Sequence, residues 1–362
     1  MEDNPMHAIS IRRMVRQVGF TIAVGAIFAA SAAPAASVDT PVETQLETGS
    51  ALPHFQPARL QQPMGAPYQN SDGVIRIIGY NDMQGMLVRI NALFQRLHPE
   101  FRFELILKGT RTAPGALARG TSLLAPMGAE FSDAELAAYM KQTGTAPVMF
   151  RVAHDSLNPA ALSAPLAIFV GAQNPLPHLN MEQLARVFTA SPHGMATWGQ
   201  LGLDGEWASR PIHLCGLAPS TALGRLMQRR LGDQPFAKGF TAFQQSRDAV
   251  ECVAADPLAI GFAAINRGVP AVRVVPLSEH EEDAPSSGTR EDIVTNRYPL
   301  DRYLLIYLRT DAQRKANPVA REYLRLMLSY EGQQAIANEG LGYLPLNARE
   351  RAEELRRLSA LD

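Results

Sequence analysis

The chain has 362 residues, which is long enough for two domains or lobes rather than one ordinary core. Hydrophobic residues make up 46% and charged residues 19%, a balance typical of a globular protein and unlike that of a disordered or multi-spanning one. The formal net charge of −1 argues against a general attraction to nucleic acid, so no nucleic-acid partner is expected.

Residues 1–36 have the pattern of a secretory signal peptide. Arginines precede an apolar run at 18–30, and small residues follow it up to residue 36. The apolar run of about 13 residues is shorter than the ~20 residues that span a bilayer, so a retained anchor is the lesser alternative. The absence of a cysteine near the cleavage region excludes a lipoprotein anchor. We therefore expect a periplasmic protein, with Sec or twin-arginine export left open.

Residues 37–72 are rich in Pro, Gln, Thr and Ala without clear periodicity, which predicts a flexible leader. The two cysteines, Cys215 and Cys252, are too few for a disulfide-rich scaffold or a four-thiolate zinc site. In an oxidising compartment they form a disulfide, or they remain two buried free thiols. The sequence leaves both alternatives open.

From residue 73 onward, short β-branched or apolar runs alternate with segments of helical period. The predicted strands cover 74–78, 101–107, 122–125, 148–153, 166–170, 212–215, 260–263, 272–276 and 302–309. The predicted helices cover 83–97, 114–119, 135–142, 181–188, 221–231, 248–255, 318–328 and 332–338. This alternation predicts an α/β fold of mainly parallel sheets flanked by helices.

Three strand-to-helix turns, at 79–83, 108–112 and 216–223, are the candidate ligand-binding turns. In open α/β sheets, ligands bind beyond the carboxyl ends of the strands, where helix N-termini point their N–H groups. The candidate ligand-binding residues in these turns are Tyr80, Asn81, Asp82, Thr110, Arg111, Thr112, Ser220 and Thr221. The alternative for the hydroxyl residues is helix capping, and for Arg111 it is a solvated surface position.

Several short motifs occur in collinear order along the body of the chain. They include Asn174-Pro175-Leu176, Asp256-Pro257-Leu258-Ala259-Ile260-Gly261-Phe262, Tyr298-Pro299-Leu300-Asp301-Arg302 and Gly342-Tyr343-Leu344-Pro345-Leu346. This pattern resembles the periplasmic phosphate-binding proteins of ABC importers. The resemblance covers roughly residues 73–350.

The resemblance implies a two-lobed, Venus-flytrap fold of the type II periplasmic binding proteins, with a cleft that closes on its ligand. Lobe one would comprise residues 73–164 and 268–362, and lobe two residues 165–267. The ligand turns depart from the family. Its arginine falls at Leu217, its Ser-Gly-Thr element at Thr221-Ala222-Leu223, and its acid near Gly128.

These departures predict weak or absent phosphate binding unless Arg111 replaces the missing arginine, because arginine and hydroxyl donors hold an oxyanion. Asp82 would repel a dianion further if it faced the cleft.

The sequence contains no nucleophile elbow, phosphate-binding loop or zinc-protease motif, so no enzyme activity and no cofactor are expected. His213 and Cys215 lie on one face of a predicted strand, but no further ligand has a metal-site spacing, so no metal site is predicted.

Two functional hypotheses follow. In the first, a monomeric solute-binding protein binds a small, phosphate-like oxyanion in the inter-lobe cleft through hydroxyls and helix N-termini, and delivers it to an inner-membrane ABC permease. In the second, the protein keeps the flytrap fold, has lost phosphate binding, and acts as a sensor or protein-interaction module. The fold alone does not separate them, because function resides in the site.

Overall fold

The computed structural model describes residues 54–362. The predicted signal peptide, and the part of the predicted leader before residue 54, lie outside the described residues. Among residues 54–362, no helix is both long enough and apolar enough to cross a bilayer.

The described part of the chain alternates strands and helices, which confirms the predicted α/β class. The helices are α1 (Gln84–Leu97), α2 (Ala113–Ala118), α3 (Asp133–Thr143), α4 (Met181–Phe188), α5 (Ala222–Arg230), α6 (Ser246–Ala255), α7 (Arg290–Val294), α8 (Pro318–Met327), α9 (Tyr330–Ala337) and α10 (Ala348–Ser359). The strands are β1 (Ile75–Gly79), β2 (Phe103–Leu107), β3 (Ala125–Met127), β4 (Val148–Ser156), β5 (Leu166–Gly171), β6 (Leu179–Asn180), β7 (His213–Leu217), β8 (Thr241–Phe243), β9 (Ala259–Ala264), β10 (Val272–Val274), β11 (Leu277–Ser278), β12 (Tyr303–Leu308) and β13 (Tyr343–Leu344). The sequence analysis did not predict the strands β6, β8, β11 and β13 or the helices α7 and α10.

One core surrounds a five-stranded sheet of order β10-β5-β9-β7-β8. Successive side chains of a strand point to opposite faces, so Ile168 joins the core shared with α4 and α5, while Phe169 packs in the core shared with α6. Strand β5 is thus buried on both faces, which explains its uninterrupted apolar sequence.

A second core contains side chains of β1, β4 and β12 and of helices α1, α8 and α9. Its strands belong to a parallel pair, β1-β2, and to an antiparallel sheet of order β13-β4-β12-β3. Helix α1 contacts both α8 and α9, so the amphipathic segment predicted at 83–97 buries its apolar face against these two helices.

The sheets are mixed, whereas the sequence predicted mainly parallel sheets. Strand β5 runs antiparallel to β9, with Leu166 opposite Ala264, and antiparallel to β10. Strands β4 and β12 are related in the same way, with His154 opposite Tyr303. The alternation of helices and strands carries no information on strand direction, which explains the error.

Residues 272–300 pack with the five-stranded sheet, although the predicted boundary at residue 268 assigned them to lobe one. Strand β10 pairs with β5, and β11 pairs with β6. The hydroxyl of Tyr298 donates to the carbonyl of Leu166 over 2.7 Å. The chain therefore leaves this sheet region close to residue 300. The remaining division into lobes stays a prediction.

The segment 54–72 packs against the second core, whereas we predicted a flexible leader there. Phe55 and Leu60 contact this core, and the Tyr68 ring is buried in it. The Tyr68 hydroxyl accepts a hydrogen bond from the side-chain amide of Asn317 over 3.0 Å. These three apolar or aromatic side chains, spread over a polar segment, are the physical reason for the difference.

Candidate functional site

A cleft of about 810 Å³ lies where the three candidate turns meet. Its lining comes from the turn after β1, the 3-10 turn Thr110–Thr112 after β2, the loop 128–135 after β3, and the start of α5 after β7. Leu162 and Ser163, in the crossing between β4 and β5, form its floor together with Arg302. The volume falls within the range of roughly 300–1,000 Å³ found for small-molecule sites.

The cleft brings together five of the eight predicted ligand-binding residues. These are Tyr80, Thr110, Arg111, Ser220 and Thr221. Asn81 is exposed but is not among the lining residues, and the Thr112 hydroxyl donates to the carbonyl of Gly109 over 2.7 Å, which closes its own turn. Thr112 therefore has a structural role in the turn.

Asp82 is buried away from the cleft, which corrects the expectation that its charge faces a bound anion. Its Oδ2 accepts a hydrogen bond of 2.8 Å from the backbone N–H of Leu162 and another from the hydroxyl of Tyr343. Asp82 thus ties the start of α1 to the crossing segment and to β13. The sequence could not reveal this, because both partners are distant along the chain.

The hydroxyl of Thr221 caps helix α5. It accepts from the backbone N–H of Gly224 over 3.0 Å and donates to the carbonyl of Ala218 over 2.8 Å. The capping alternative is therefore correct for this hydroxyl.

Backbone donors remain at the same end of α5. In the described part of the chain, no hydrogen bond involves the backbone N–H groups of Ala222 and Leu223. The exposed hydroxyl of Ser220 lies beside them, with only a long contact of 3.4 Å from the amide of Gln244. The start of α5 therefore presents donors to the cleft.

The Tyr80 ring occupies the space that a side chain at position 128 would need. A Cβ added to Gly128 would lie 2.4 Å from Tyr80 Cε1. The Tyr80 hydroxyl and the Ser163 hydroxyl are 3.0 Å apart and form a hydrogen bond. Burial raises the pKa of Tyr80 to about 12, so the phenol is neutral near pH 7. The Tyr80 ring therefore requires glycine at position 128.

Arg302 is a cleft residue that the sequence analysis missed. Its side chain is 9% exposed, and its guanidinium donates to the carbonyls of Gly128 (2.6 Å) and Ala164 (3.1 Å). It also lies 3.1 Å from the carboxylate of Asp155. In the sequence, Arg302 stood out only as the last residue of the motif that begins at Tyr298. That position does not indicate that its side chain reaches the cleft.

Asp155 is fully buried beside this guanidinium. Burial raises the pKa of Asp155 to about 6, against the opposing effect of the Arg302 charge. Arg302 therefore joins the loop after β3, the crossing segment and the end of β4 through one buried side chain.

Three of the four arginines that line the cleft have carboxylate partners. Besides Arg302, these are Arg225, which lies 2.6 Å from Asp233, and Arg229, which lies 3.2 Å from Glu130. Within residues 54–362, Arg111 forms no ion pair and no side-chain hydrogen bond, and it is exposed at the cleft. Arg111 is thus the cleft cation that is free to contact an added anion.

Cys215 and Cys252 form a disulfide, one of the two alternatives that the sequence left open. It joins β7 to α6. His213 Nδ1 lies 2.6 Å from the carboxylate of Asp256, so this histidine is paired with the acid that follows α6. Among the described residues, no group of three or more His, Cys, Asp or Glu side chains could hold a metal ion.

Comparison with known proteins gives a consistent result over most of the chain. Residues 66–331 match the family described as a PBP superfamily domain. The chain is 29% identical over 300 residues to the phosphate-binding protein PstS of Pseudomonas aeruginosa, in strains PAO1 and UCBPP-PA14, covering 80% of this chain and 90% of the relative.

The fold is also found among solved structures. The crystal structure of an ABC-type phosphate transport receptor from Vibrio cholerae aligns with a TM-score of 0.50 at 18% identity, covering 75% of this chain and 98% of the other. At this level of identity the match supports the two-lobed binding-protein fold and not the ligand.

Proposed function

The chain belongs to the PBP superfamily, and from this premise we propose that it is the solute-binding component of an ABC importer that binds a small oxyanion in the cleft. The observation that carries the proposal is the convergence of an unpaired cation, Arg111, with the donors at the start of α5 on one cleft. Oxyanions are bound by such combinations of charged and backbone donors.

The anion would lie between the two turns that carry these donors. Arg111 and the Thr110 hydroxyl approach from the turn after β2, and the Ser220 hydroxyl and the α5 N–H groups approach from the turn after β7. The Thr110 hydroxyl oxygen accepts a 3.3 Å hydrogen bond from the Gly128 N–H. The proton of the Thr110 hydroxyl therefore points away from Gly128 and can be donated to an anion. In this proposal these donors replace the family's arginine, which is lacking at Leu217, and its threonine hydroxyl, which is lacking at Leu223.

The biological setting follows from the family rather than from the cleft. The relative in Pseudomonas aeruginosa is named a phosphate-binding protein, and we propose a related ligand, a periplasmic location and an inner-membrane permease as partner. The proposed role is binding and delivery, without catalysis.

Thermal unfolding of the purified protein with phosphate, sulfate and other small anions tests the proposal. A ligand at 100 times its Kd stabilises the folded state by about 2.7 kcal/mol, which raises the unfolding midpoint by several degrees. We expect Arg111→Gln to weaken binding of the same anion by at least about tenfold, since a hydrogen bond to a charged group contributes about 1.5–3 kcal/mol. The matched control is Arg119→Gln, an exposed arginine outside the cleft, which should bind normally.

A second candidate function is favoured by the Tyr80 ring. The ring fills the space beside Gly128 and leaves the loop after β3 without an anion-binding side chain at that position. A flytrap protein that has lost phosphate binding, and that acts as a sensor or protein-interaction module, would have this feature. No midpoint shift with any oxyanion, from a cooperatively unfolding sample, would reject the first proposal in favour of this one.

A further inference from the structure

Two ion pairs connect the opposite walls of the cleft. Arg229 Nη2 lies 3.2 Å from Glu130 Oε2, and Arg225 Nη2 lies 3.9 Å from Asp133 Oδ2. The carboxylates belong to the loop after β3 and the start of α3, in the antiparallel-sheet region. The arginines belong to α5, which follows β7 of the five-stranded sheet. The pairs therefore join the two sheet regions directly.

The spacing of the four residues places the two ion pairs side by side. Arg225 and Arg229 are four residues apart on α5, so they lie on one face of the helix, one turn apart. Glu130 and Asp133 are three residues apart along the facing wall. Asp233, which lies 2.6 Å from Arg225, holds that guanidinium beside the acids.

We propose that Glu130, Asp133, Arg225 and Arg229, named here the cleft clasp, hold the protein closed when no solute is bound. In a two-lobed protein that opens about the crossing segments, any contact that exists only in the closed form shifts the population toward that form. In the clasp, the carboxylates of Glu130 and Asp133 provide the contact that exists only in the closed form.

Each ion pair of the clasp is weak because its side chains are partly exposed to water. A weak contact is compatible with a cleft that must open. The Arg229 side chain is 31% exposed and that of Glu130 is 46% exposed. Exposed pairs of this kind change an equilibrium by about 1.4- to 5-fold each. Salt screens them, since the Debye length falls from about 10 Å at 0.1 M to about 3 Å at 1 M. The closed fraction should therefore decrease as the salt concentration rises.

The test measures the distance between the two walls without any ligand, so it does not depend on the proposed anion binding. Nitroxide labels at Gln142→Cys and Arg247→Cys lie on exposed positions of α3 and α6, outside the cleft. Both native cysteines are in the disulfide and do not react. Double electron–electron resonance then reports the distribution of distances between the labels.

In this labelled protein we expect Glu130→Gln and Arg229→Gln each to lower the ratio of closed to open protein by about 1.4- to 5-fold. The double variant should show little further change, because both substitutions remove the same pair. The exchanged pair, Glu130→Arg with Arg229→Glu, should restore the closed distance.

The matched control is Arg230→Gln, the next residue of α5. Arg230 lies 2.8 Å from Glu279, and the two side chains are about as exposed as those of Arg229 and Glu130. Glu279 follows β11, however, and so lies on the same side of the cleft as α5. The control should leave the distance distribution unchanged. The proposal is overturned if Arg229→Gln gives the distribution of the parent protein, or if Arg230→Gln opens the cleft to the same extent.

Discussion

Tyr80 and Gly128 form a coupled pair at the cleft. The ring lies so close to the Gly128 backbone that even a methyl group at 128 would overlap it, at 2.4 Å from Cε1. The hydroxyl is fixed by its hydrogen bond to Ser163, so the ring cannot turn aside without losing that bond. One bulky residue therefore determines which residue is tolerated at the other position.

Gly128→Ala should destabilise the protein by about 1–3 kcal/mol, the usual cost of overpacking a buried site. In a Tyr80→Ala background the same substitution should cost close to nothing, because the overlapping ring is gone. Urea unfolding of the four proteins of this double-mutant cycle measures the coupling.

Gly171→Ala is the control for this cycle, since a Cβ there meets nothing closer than 3.9 Å. Its stability should stay within about 0.5 kcal/mol of the parent. Equal costs of Gly128→Ala in the two Tyr80 backgrounds would contradict the coupling.

At the scale of elements, the disulfide fixes α6 to one face of the five-stranded sheet. Cys215 lies on β7 and Cys252 on α6, with 37 residues between them in sequence. The same face is packed with Phe169 of β5 and Val253 of α6. The cross-link restricts the unfolded chain far more than it adds contacts to the folded one.

Replacing both cysteines, Cys215→Ala with Cys252→Ala, should lower the free energy of unfolding by about 3–4 kcal/mol, the loop-closure value for a loop of this length. Guanidinium unfolding measures the difference. The parent protein reduced in denaturant and refolded with dithiothreitol should approach the stability of the variant, while dithiothreitol should not affect the variant. A parent protein equally stable with and without the bond would contradict the prediction.

The individual elements were largely predictable, because their signals are local. The helix predicted at 135–142 is α3, which begins two residues earlier, at Asp133, where Ser132 and Glu135 form a reciprocal capping box. The apolar period of 83–97 predicted α1, and the structure has it at Gln84–Leu97. The highly charged α10 was missed, since its apolar positions are few.

The cleft was only half predictable. Turn position along the chain selected Thr110, Arg111 and Ser220, and the structure places all three at the lining of one cleft, while their role in ligand binding stays a prediction. It wrongly selected Asp82, whose carboxylate turns inward to partners at 162 and 343.

At the scale of the whole molecule, a buried histidine joins three distant segments. His154, near the end of β4, lies 2.6 Å from Asp301 through Nδ1 and 3.0 Å from Glu350 through Nε2. Asp301 precedes β12 and Glu350 is in the first turn of α10. Burial alone would lower the pKa of His154, but the hydrogen bond to Asp301 and the nearby charges of Asp301 and Glu350 outweigh it and raise the pKa to about 9.

His154 should therefore make the stability decrease as the pH rises from 6.5 to about 9. Below pH 6.5 both the folded and the unfolded states carry the proton, and the stabilisation is complete. Between these values only the folded state keeps it, so the free energy of unfolding falls by up to about 1.4 kcal/mol per pH unit.

Urea unfolding between pH 6 and 9.5 measures this slope. We expect His154→Gln to be less stable than the parent at pH 6 and to lack the descending slope. A variant with the same slope as the parent would show that another group causes it.

The sequence by itself determined the α/β class, most helices and strands, three turns that meet at one cleft and the resemblance to a binding-protein family. Each of these depends on patterns within about 20 residues or on motif order. The tertiary structure alone decided the strand directions, the burial of Asp82, the approach of Arg302 to the cleft and the pairing of Glu130 with Arg229. The physical reason is that these contacts join segments about 80 to 170 residues apart, whose proximity depends on how the whole chain crosses between its two sheet regions.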